Sequence, residues 1–301
     1  MPEHSALARL MRGVVLAIAV AALAWLGWRG PTWSGWLGAG LIVFSYALIL
    51  GLEFLLMRAT AAPPRPAVAA VFRAWLAEVL EVPRVFGWRQ AWRWRALADW
   101  LPGECRGRRG VVLVHGFICN RGFWTPWMAQ LRARGHGHVG VNLEPVFGSI
   151  EAYAPIIEAA VARVEQATGM PPVLVCHSMG GLAVRHWLRS AQAAARVHHV
   201  VTLGTPHAGT WLARFSFTPN GRQMRQANPW LTRLEQDEAR LSAVPMTCWY
   251  ADCDNIVFPV ASATRPGADN RLAPGAAHVD LAFRPDVMQA TLDRIQAVKA
   301  N

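Results

Sequence analysis

The stretch Val173-Leu174-Val175-Cys176-His177-Ser178-Met179-Gly180-Gly181 constrains this chain more than any other. Four apolar residues lead towards a serine, and a helix-like run beginning at Leu182 follows it. A strand that turns sharply into a helix strains the backbone at the turn and exposes the side chain there, an arrangement called a nucleophile elbow. Strand and helix pass so close that the positions two before and two after the serine require small residues. Gly180 supplies the second. Cys176 stands where the G-x-S-x-G pattern has its first glycine, and its side chain is small. The element is chemically useful only if the chain also supplies a base, an orienting acid and oxyanion donors, in the right order.

The segments around it predict the fold. Residues 111–114 read as a fully buried strand running into His115-Gly116-Phe117. A polar loop with Asn120 and Arg121 and a helix at 123–134 follow. Further strands are expected at 138–143, 173–175, 197–203 and 244–250, with helices at 152–168, 182–194 and 286–298. Strands alternating with helices give an α/β fold, a mostly parallel sheet covered by helices on both faces. We place this catalytic domain at residues 101–301.

The first hundred residues have a different composition. Residues 13–28 carry no charge and follow Arg9 and Arg12; residues 36–57 form a second apolar run broken only by Glu53. A seven-residue turn with Gly30, Pro31 and Gly35 separates them. These features predict a transmembrane helical hairpin over residues 1–58, with helices at about 10–28 and 36–57. A cleaved signal peptide, with Ala22-Leu23-Ala24 as its site, is the competing reading of the first run. Arginines flank both outer ends of the pair and the turn has only Arg29, so both ends are expected in the cytoplasm. Residues 59–66 read as an Ala/Pro linker. Residues 67–81 have apolar positions at 68, 71, 72, 75, 76, 79 and 80, a helix with one wide apolar face that Pro83 is expected to end. The Trp88-Arg89-Gln90-Ala91-Trp92-Arg93-Trp94-Arg95 segment suits either a headgroup layer or the edge of the sheet. Residues 59–100 thus form a linker and an amphipathic Trp/Arg-rich segment.

Charge and cysteines narrow the partners. The net charge is +11, and residues 58–109 hold ten arginines against Glu78, Glu81, Asp99 and Glu104. A basic block beside apolar segments suits an anionic membrane surface. No nucleic-acid motif accompanies it, so no nucleic acid is expected as a partner. The five cysteines show no metal-ligand spacing and read as free thiols, with a Cys248–Cys253 link the alternative.

Three segments together carry a family resemblance. His115-Gly116-Phe117, the 176–181 elbow and Gly204-Thr205-Pro206-His207-Ala208-Gly209-Thr210 resemble, in order and spacing, bacterial lipases and esterases of the α/β-hydrolase fold. The resemblance covers residues 108–290 and leaves the N-terminal hairpin outside it.

The triad order on that fold is serine, acid, histidine. Ser178 is the expected nucleophile, and its hydroxyl needs a histidine base. His278 is the one histidine after residue 207 and sits in a Gly/Ala loop before the last helix. Asp252 and Asp254 both lie on the loop after the 244–250 strand. The segment from Asp254 to Val257 resembles the acid position of lipases, which favours Asp254 and leaves Asp252 a turn or capping residue. The expected oxyanion donors are the backbone N–H groups of Phe117 and Met179, with Asn120 bracing the first. Thr205 and His207 lie beside the elbow, where lipases shape the pocket wall. Residues 210–243, with Trp211, Phe215, Phe217, Met224 and Trp230, form either a lid or an ordinary helical excursion.

The expected activity is that of a membrane-anchored serine hydrolase cleaving a lipid-like carboxylic ester through an acyl-enzyme on Ser178. A thioesterase, an amidase or an acyltransferase would use the same triad, and a non-catalytic membrane scaffold on a hydrolase fold is the rival of another class. This chemistry requires neither a cofactor nor a metal. The setting expected is a bacterial inner membrane, with the catalytic domain on the cytoplasmic side.

Overall fold

Six strands form one parallel sheet in the order β2-β1-β3-β4-β5-β6. They are β1 (Val111–Val114), β2 (His138–Gly140), β3 (Val173–His177), β4 (His199–Leu203), β5 (Met246–Tyr250) and β6 (Asp269–Leu272). The computed structural model describes residues 5–238 and 244–297; the end of the expected lid segment, 239–243, and Val298 of the expected closing helix lie outside them. In the central register, Val111 pairs with Val173 and Val173 with His199. Side chains alternate across the pleat. Val112, Val114, Leu174 and Cys176 therefore face one core with the helices Ala154–Thr168 and Met179–Ser190. Val111, Leu113, Val173 and Val175 face a second core with Trp124, Trp127 and Ile295. A sheet buried on both faces explains the unbroken Val/Leu runs of β1 and β3.

Two strands depart from expectation. β6 carries no apolar alternation because it is a largely exposed edge. β2 stops at Gly140, and the chain then leaves the ladder so that the Leu143 N–H donates to His115 Nε2 at 3.0 Å.

At the N-terminus, α1 (Ala6–Arg29) is the one described helix long and apolar enough by itself to cross a bilayer. Its 24 residues span about 36 Å. After Gly30, at φ 70°, the chain turns into α2 (Trp33–Val43), which packs back on α1. A Cβ at Gly38 would run into the Trp25 indole, so glycine lets the two helices approach here. The second apolar run is not one straight helix. It breaks at Phe44, and α3 (Ser45–Thr60) leaves α2 at 54°. The Ser45 hydroxyl donates to the Ile42 carbonyl at 2.9 Å, a local bond of the kind that bends helices. The far end of this run is seated on the α/β part: Phe54 and Met57 are buried with Cys253, Phe258 and Ala277.

α4 (Val68–Val82) ends at Pro83 as expected, but the helical path does not stop there. The proline sits at φ −67°, an angle its ring prefers and a helix accepts. The chain continues as a π-helical stretch, Pro83–Arg89, and a final turn, Gln90–Trp92. π turns are a common accommodation where the helical ladder is interrupted. The two sides of α4 are inverted relative to a helix in water: Val68, Phe72, Leu76 and Leu80 are exposed, whereas Ala74, Glu78 and Glu81 are buried. In the Trp/Arg segment, Gln90, Ala91 and Trp94 are buried and Trp88 and Trp92 are exposed. Arg12 of α1 donates from Nε to the Ala91 carbonyl at 2.7 Å and lies 5.4 Å from the Trp92 ring centroid.

Candidate active site

Ser178 lies between β3 and the following helix with φ 53° and ψ −128°. Positive φ is costly for a residue with a side chain and persists only where the surroundings enforce it. Three neighbours do so here. The Ser178 N–H donates to the Leu203 carbonyl at 2.9 Å. The Thr205 hydroxyl donates to the Ser178 carbonyl at 2.8 Å. A Cβ on Gly180 would lie 2.5 Å from the Val114 carbonyl oxygen, so the helix passes within reach of the β1 backbone only because residue 180 is glycine. Cys176 is completely buried in the core beside Leu174, so the cysteine fits that position without opening the packing.

His278 and Asp254 are brought together. His278 Nδ1 stands 2.9 Å from Asp254 Oδ2, and both side chains are buried. The other carboxylate oxygen accepts the N–H groups of Ile256 at 2.9 Å and Val257 at 2.7 Å. Burial works against a charged imidazole, but the Asp254 carboxylate and its hydrogen bond, with Glu78 and Glu53 behind, outweigh that and raise the His278 pKa. Asp252 lies apart: its Oδ1 accepts the Gly275 N–H at 2.6 Å and so caps the loop leading to His278. Gly204, at φ 58°, is the hinge of the arrangement. A Cβ there would meet Asp254 Oδ2 at 3.2 Å and His278 Nδ1 at 3.3 Å. Among the described residues no hydrogen bond joins the Ser178 hydroxyl to His278. Catalytic hydrogen bonds commonly tighten only around substrate.

Of the expected oxyanion donors, Met179 directly follows the serine, and Phe117 follows Gly116, which packs against it. Met179 opens the Met179–Ser190 helix, so its N–H has no acceptor within the helix. Gly116, the residue before Phe117, packs so closely that a Cβ on it would lie 2.8 Å from Ser178 Cβ. Among the described residues neither N–H donates to another protein group. The loop carrying Phe117 is fixed from both ends. His115 accepts from Leu143 on Nε2 and donates from Nδ1 to the Gly116 carbonyl at 2.9 Å, so its ring is neutral; burial lowers its pKa to about 4. Asn120 accepts the Gly122 N–H at 2.9 Å and donates to the Gln90 carbonyl at 2.9 Å.

Other residues adjoin the site. His177 stacks on Phe123, and its Nε2 donates to the His278 carbonyl at 3.1 Å. The Glu78 carboxylate accepts the N–H groups of Val279 and Asp280. Glu53 accepts from Asn255, whose own carbonyl accepts the His278 N–H. The usable signal was the place of each acid: Glu53 interrupts an apolar run, and Glu78 lies on a mostly apolar helix whose other charges are Arg73 and Glu81. His207 is buried among Thr202, Cys248 and Arg185, away from the triad hydrogen bonds. All five cysteines are free and buried, and burial pushes the Cys119 and Cys253 thiols up to about 12.

In the 210–243 segment, the helix Pro229–Glu238 is packed on the α/β fold through buried Trp230, Leu231 and Leu234. The exposed apolar residues of the described part are Phe215 and Phe217.

No family model and no curated protein sequence matches this chain. Solved structures do. The mature lipase of Bacillus licheniformis superposes with a TM-score of 0.56 at 15% identity, over 63% of this chain and 92% of that one. Lipase B of Aspergillus fumigatus gives 0.56 at 16% identity, over 68% of this chain and 56% of that one. A metagenomic carboxyl esterase gives 0.50 at 19% identity, over 64% and 76% of the two chains. The parallel-sheet α/β fold of this chain therefore resembles that of α/β-hydrolases.

Proposed function

We propose that this protein is a membrane-anchored serine hydrolase that cleaves carboxylic esters, of lipase or esterase type. The observation that carries the reading is the buried Asp254–His278 pair, 2.9 Å apart, beside a serine held at positive φ. That the structures of similar fold are lipases and a carboxyl esterase supports the ester class.

The residues define the steps. Ser178 Oγ attacks the ester carbonyl while His278 Nε2 takes its proton. Asp254 holds the ring through Nδ1 and stabilises the imidazolium without being protonated. The oxygen that gains charge is received by the N–H groups of Phe117 and Met179, at the positive end of a helix dipole. His278 returns the proton to the departing alkoxide, and water then releases the acyl group by the reverse sequence. A fluorophosphonate probe tests this. It is expected to modify the wild type and not Ser178→Ala; a folded wild type that resists the probe removes the reading.

The substrate we propose is a lipid-like acyl ester reached at a membrane surface. The exposed stripe Val68, Phe72, Leu76 and Leu80 and the exposed Trp88 and Trp92 form an apolar face that lipid would cover. α1 and the bent α2–α3 pair supply the anchor. The start of α1 and the end of α3 both rest on the α/β part: Ala6 donates to Glu144 at 2.9 Å, and Met57 is buried. That arrangement supports a hairpin with both ends on one side. The arginines flanking the hairpin favour the cytoplasmic face of a bacterial inner membrane for that side.

A further inference from the structure

The loop that carries His278 is held from outside the α/β fold. Glu78 of α4 is fully buried, and its carboxylate receives three backbone contacts: Val279 at 3.0 and 3.2 Å and Asp280 at 3.0 Å. Glu53 of α3 accepts the Asn255 side-chain N–H at 2.7 Å, and Asn255 Oδ1 accepts the His278 N–H at 3.2 Å. The N–H groups of three successive residues, 278, 279 and 280, thus depend on two carboxylates more than 190 positions earlier in the chain. Packing follows the same route. Cys253 and Ala277, the immediate neighbours of Asp254 and His278, are wholly buried in one cluster with Phe54, Met57 and Ala74 of α3 and α4.

Burying a carboxylate is expensive, and an apolar side chain of similar volume would usually pack there with less loss. A carboxylate retained beside an Asp–His pair has consequences for that pair. The charged groups facing Glu78 are His278 and Asp254 from the site; Asp280 offers it a backbone N–H, and Glu53 reaches the same loop through Asn255.

We propose that α3 and α4 complete the active site: Glu78 is a positioning residue that fixes the His278 loop directly, and Glu53 does so through Asn255. The hairpin region is then a working part of the site as well as its tether. This inference rests on the serine-hydrolase reading.

The test uses the full-length chain in detergent, with active sites counted by the fluorophosphonate probe and turnover measured on a short p-nitrophenyl ester. Glu78→Gln keeps the shape but removes the charge and turns an N–H donor towards the loop. It is expected to lower kcat per labelled site about tenfold or more with little change in KM, as a misplaced base does. The acid limb of its kcat profile is expected to move to lower pH, because Glu78 no longer favours the His278 imidazolium. Glu53→Gln can still accept from Asn255 and is expected to lose less. If Glu78→Gln melts at lower temperature but keeps the wild-type kcat per labelled site and an unmoved acid limb, its role is structural and the proposal falls. Should Glu78→Gln not accumulate, Asn255→Ala cuts the Glu53 route alone and is judged by the same two readouts. A wild type that takes up no probe would instead remove the hydrolase reading itself.

Discussion

His177 donates from Nε2 to the carbonyl oxygen of His278 across 3.1 Å, so the residue before Ser178 holds the loop that carries His278. Burial keeps this ring neutral, with its pKa well below the ordinary value. His177→Phe preserves the stack on Phe123 and deletes the donor. Leaving a buried carbonyl unpaired costs about 1–3 kcal/mol. The expected result is that loss in urea unfolding, together with a fall in kcat and an unchanged KM.

Asp254→Asn retains an oxygen for the Ile256 and Val257 N–H groups but presents an amide to His278 Nδ1, favouring the wrong tautomer. A drop of about 10⁴ in kcat is expected for such a change. Asp252→Asn still accepts from Gly275 and is expected to stay near wild type. Steady-state ester hydrolysis separates the two; equal losses would reassign the acid.

Gly180→Ala drives a Cβ to 2.5 Å from a β1 carbonyl oxygen and 2.6 Å from that of His115. Backbone cannot yield as a flexible side chain would. Destabilisation of about 1–3 kcal/mol or more is expected from calorimetry. Thr205→Val, which removes the hydroxyl bound to the Ser178 carbonyl, is expected to cost less in stability and to reduce the rate of probe labelling.

Burial raises the Glu78 pKa to about 7 from its ordinary 4.5, against the opposing backbone N–H bonds. A raised carboxylate pKa means that the folded state binds the proton more tightly than the unfolded chain. Its contribution to stability therefore falls as pH rises from about 4.5 to about 7. Glu78→Gln has no such dependence. The difference in unfolding free energy, wild type minus variant, is expected to decline across that window and to level off above it. Denaturant titrations at several pH values measure it, and a difference independent of pH would contradict the buried ionisation.

The proposed topology is open to chemical labelling because the five native cysteines are buried and give little background. Ser34→Cys, exposed in the first turn of α2, is expected to react with a membrane-impermeant maleimide in intact cells. Ala162→Cys, exposed on the Ala154–Thr168 helix, is expected to react only after lysis. The reverse pattern would invert the assigned orientation.

How much of this was legible depends on the range of the contacts. The elbow was readable because strand, turn and helix are consecutive and Gly180 is irreplaceable at its place. Asp254 was favoured over Asp252 through the likeness of Asp254–Val257 to the lipase acid segment and not through any local rule; in the structure Asp254 lies against His278 and Asp252 against Gly275. β6 was not, since an exposed edge strand made of Asp269, Asn270, Arg271 and Leu272 has no pattern to detect. The bend at Phe44, beside the Ser45 hydroxyl bond, and the π-helical passage through Pro83 are features that hydrophobic periodicity does not report. Glu53 and Glu78 were visible only as interruptions. Their partners, Asn255 and Val279, stand some two hundred residues away, beyond any local rule.

The inverted faces of α4 bear on how this protein can be handled. Cutting the chain at residue 100 to obtain a freely soluble version would discard the greasy stripe, but the same helix carries Glu78, and α3 carries Glu53. The remaining fragment would keep Ser178, Asp254 and His278 while stranding the N–H groups of Val279 and Asp280 and uncovering Cys253 and Ala277. A more soluble version is better made by replacing Val68, Phe72, Leu76 and Leu80 on the outer face than by trimming the helix away.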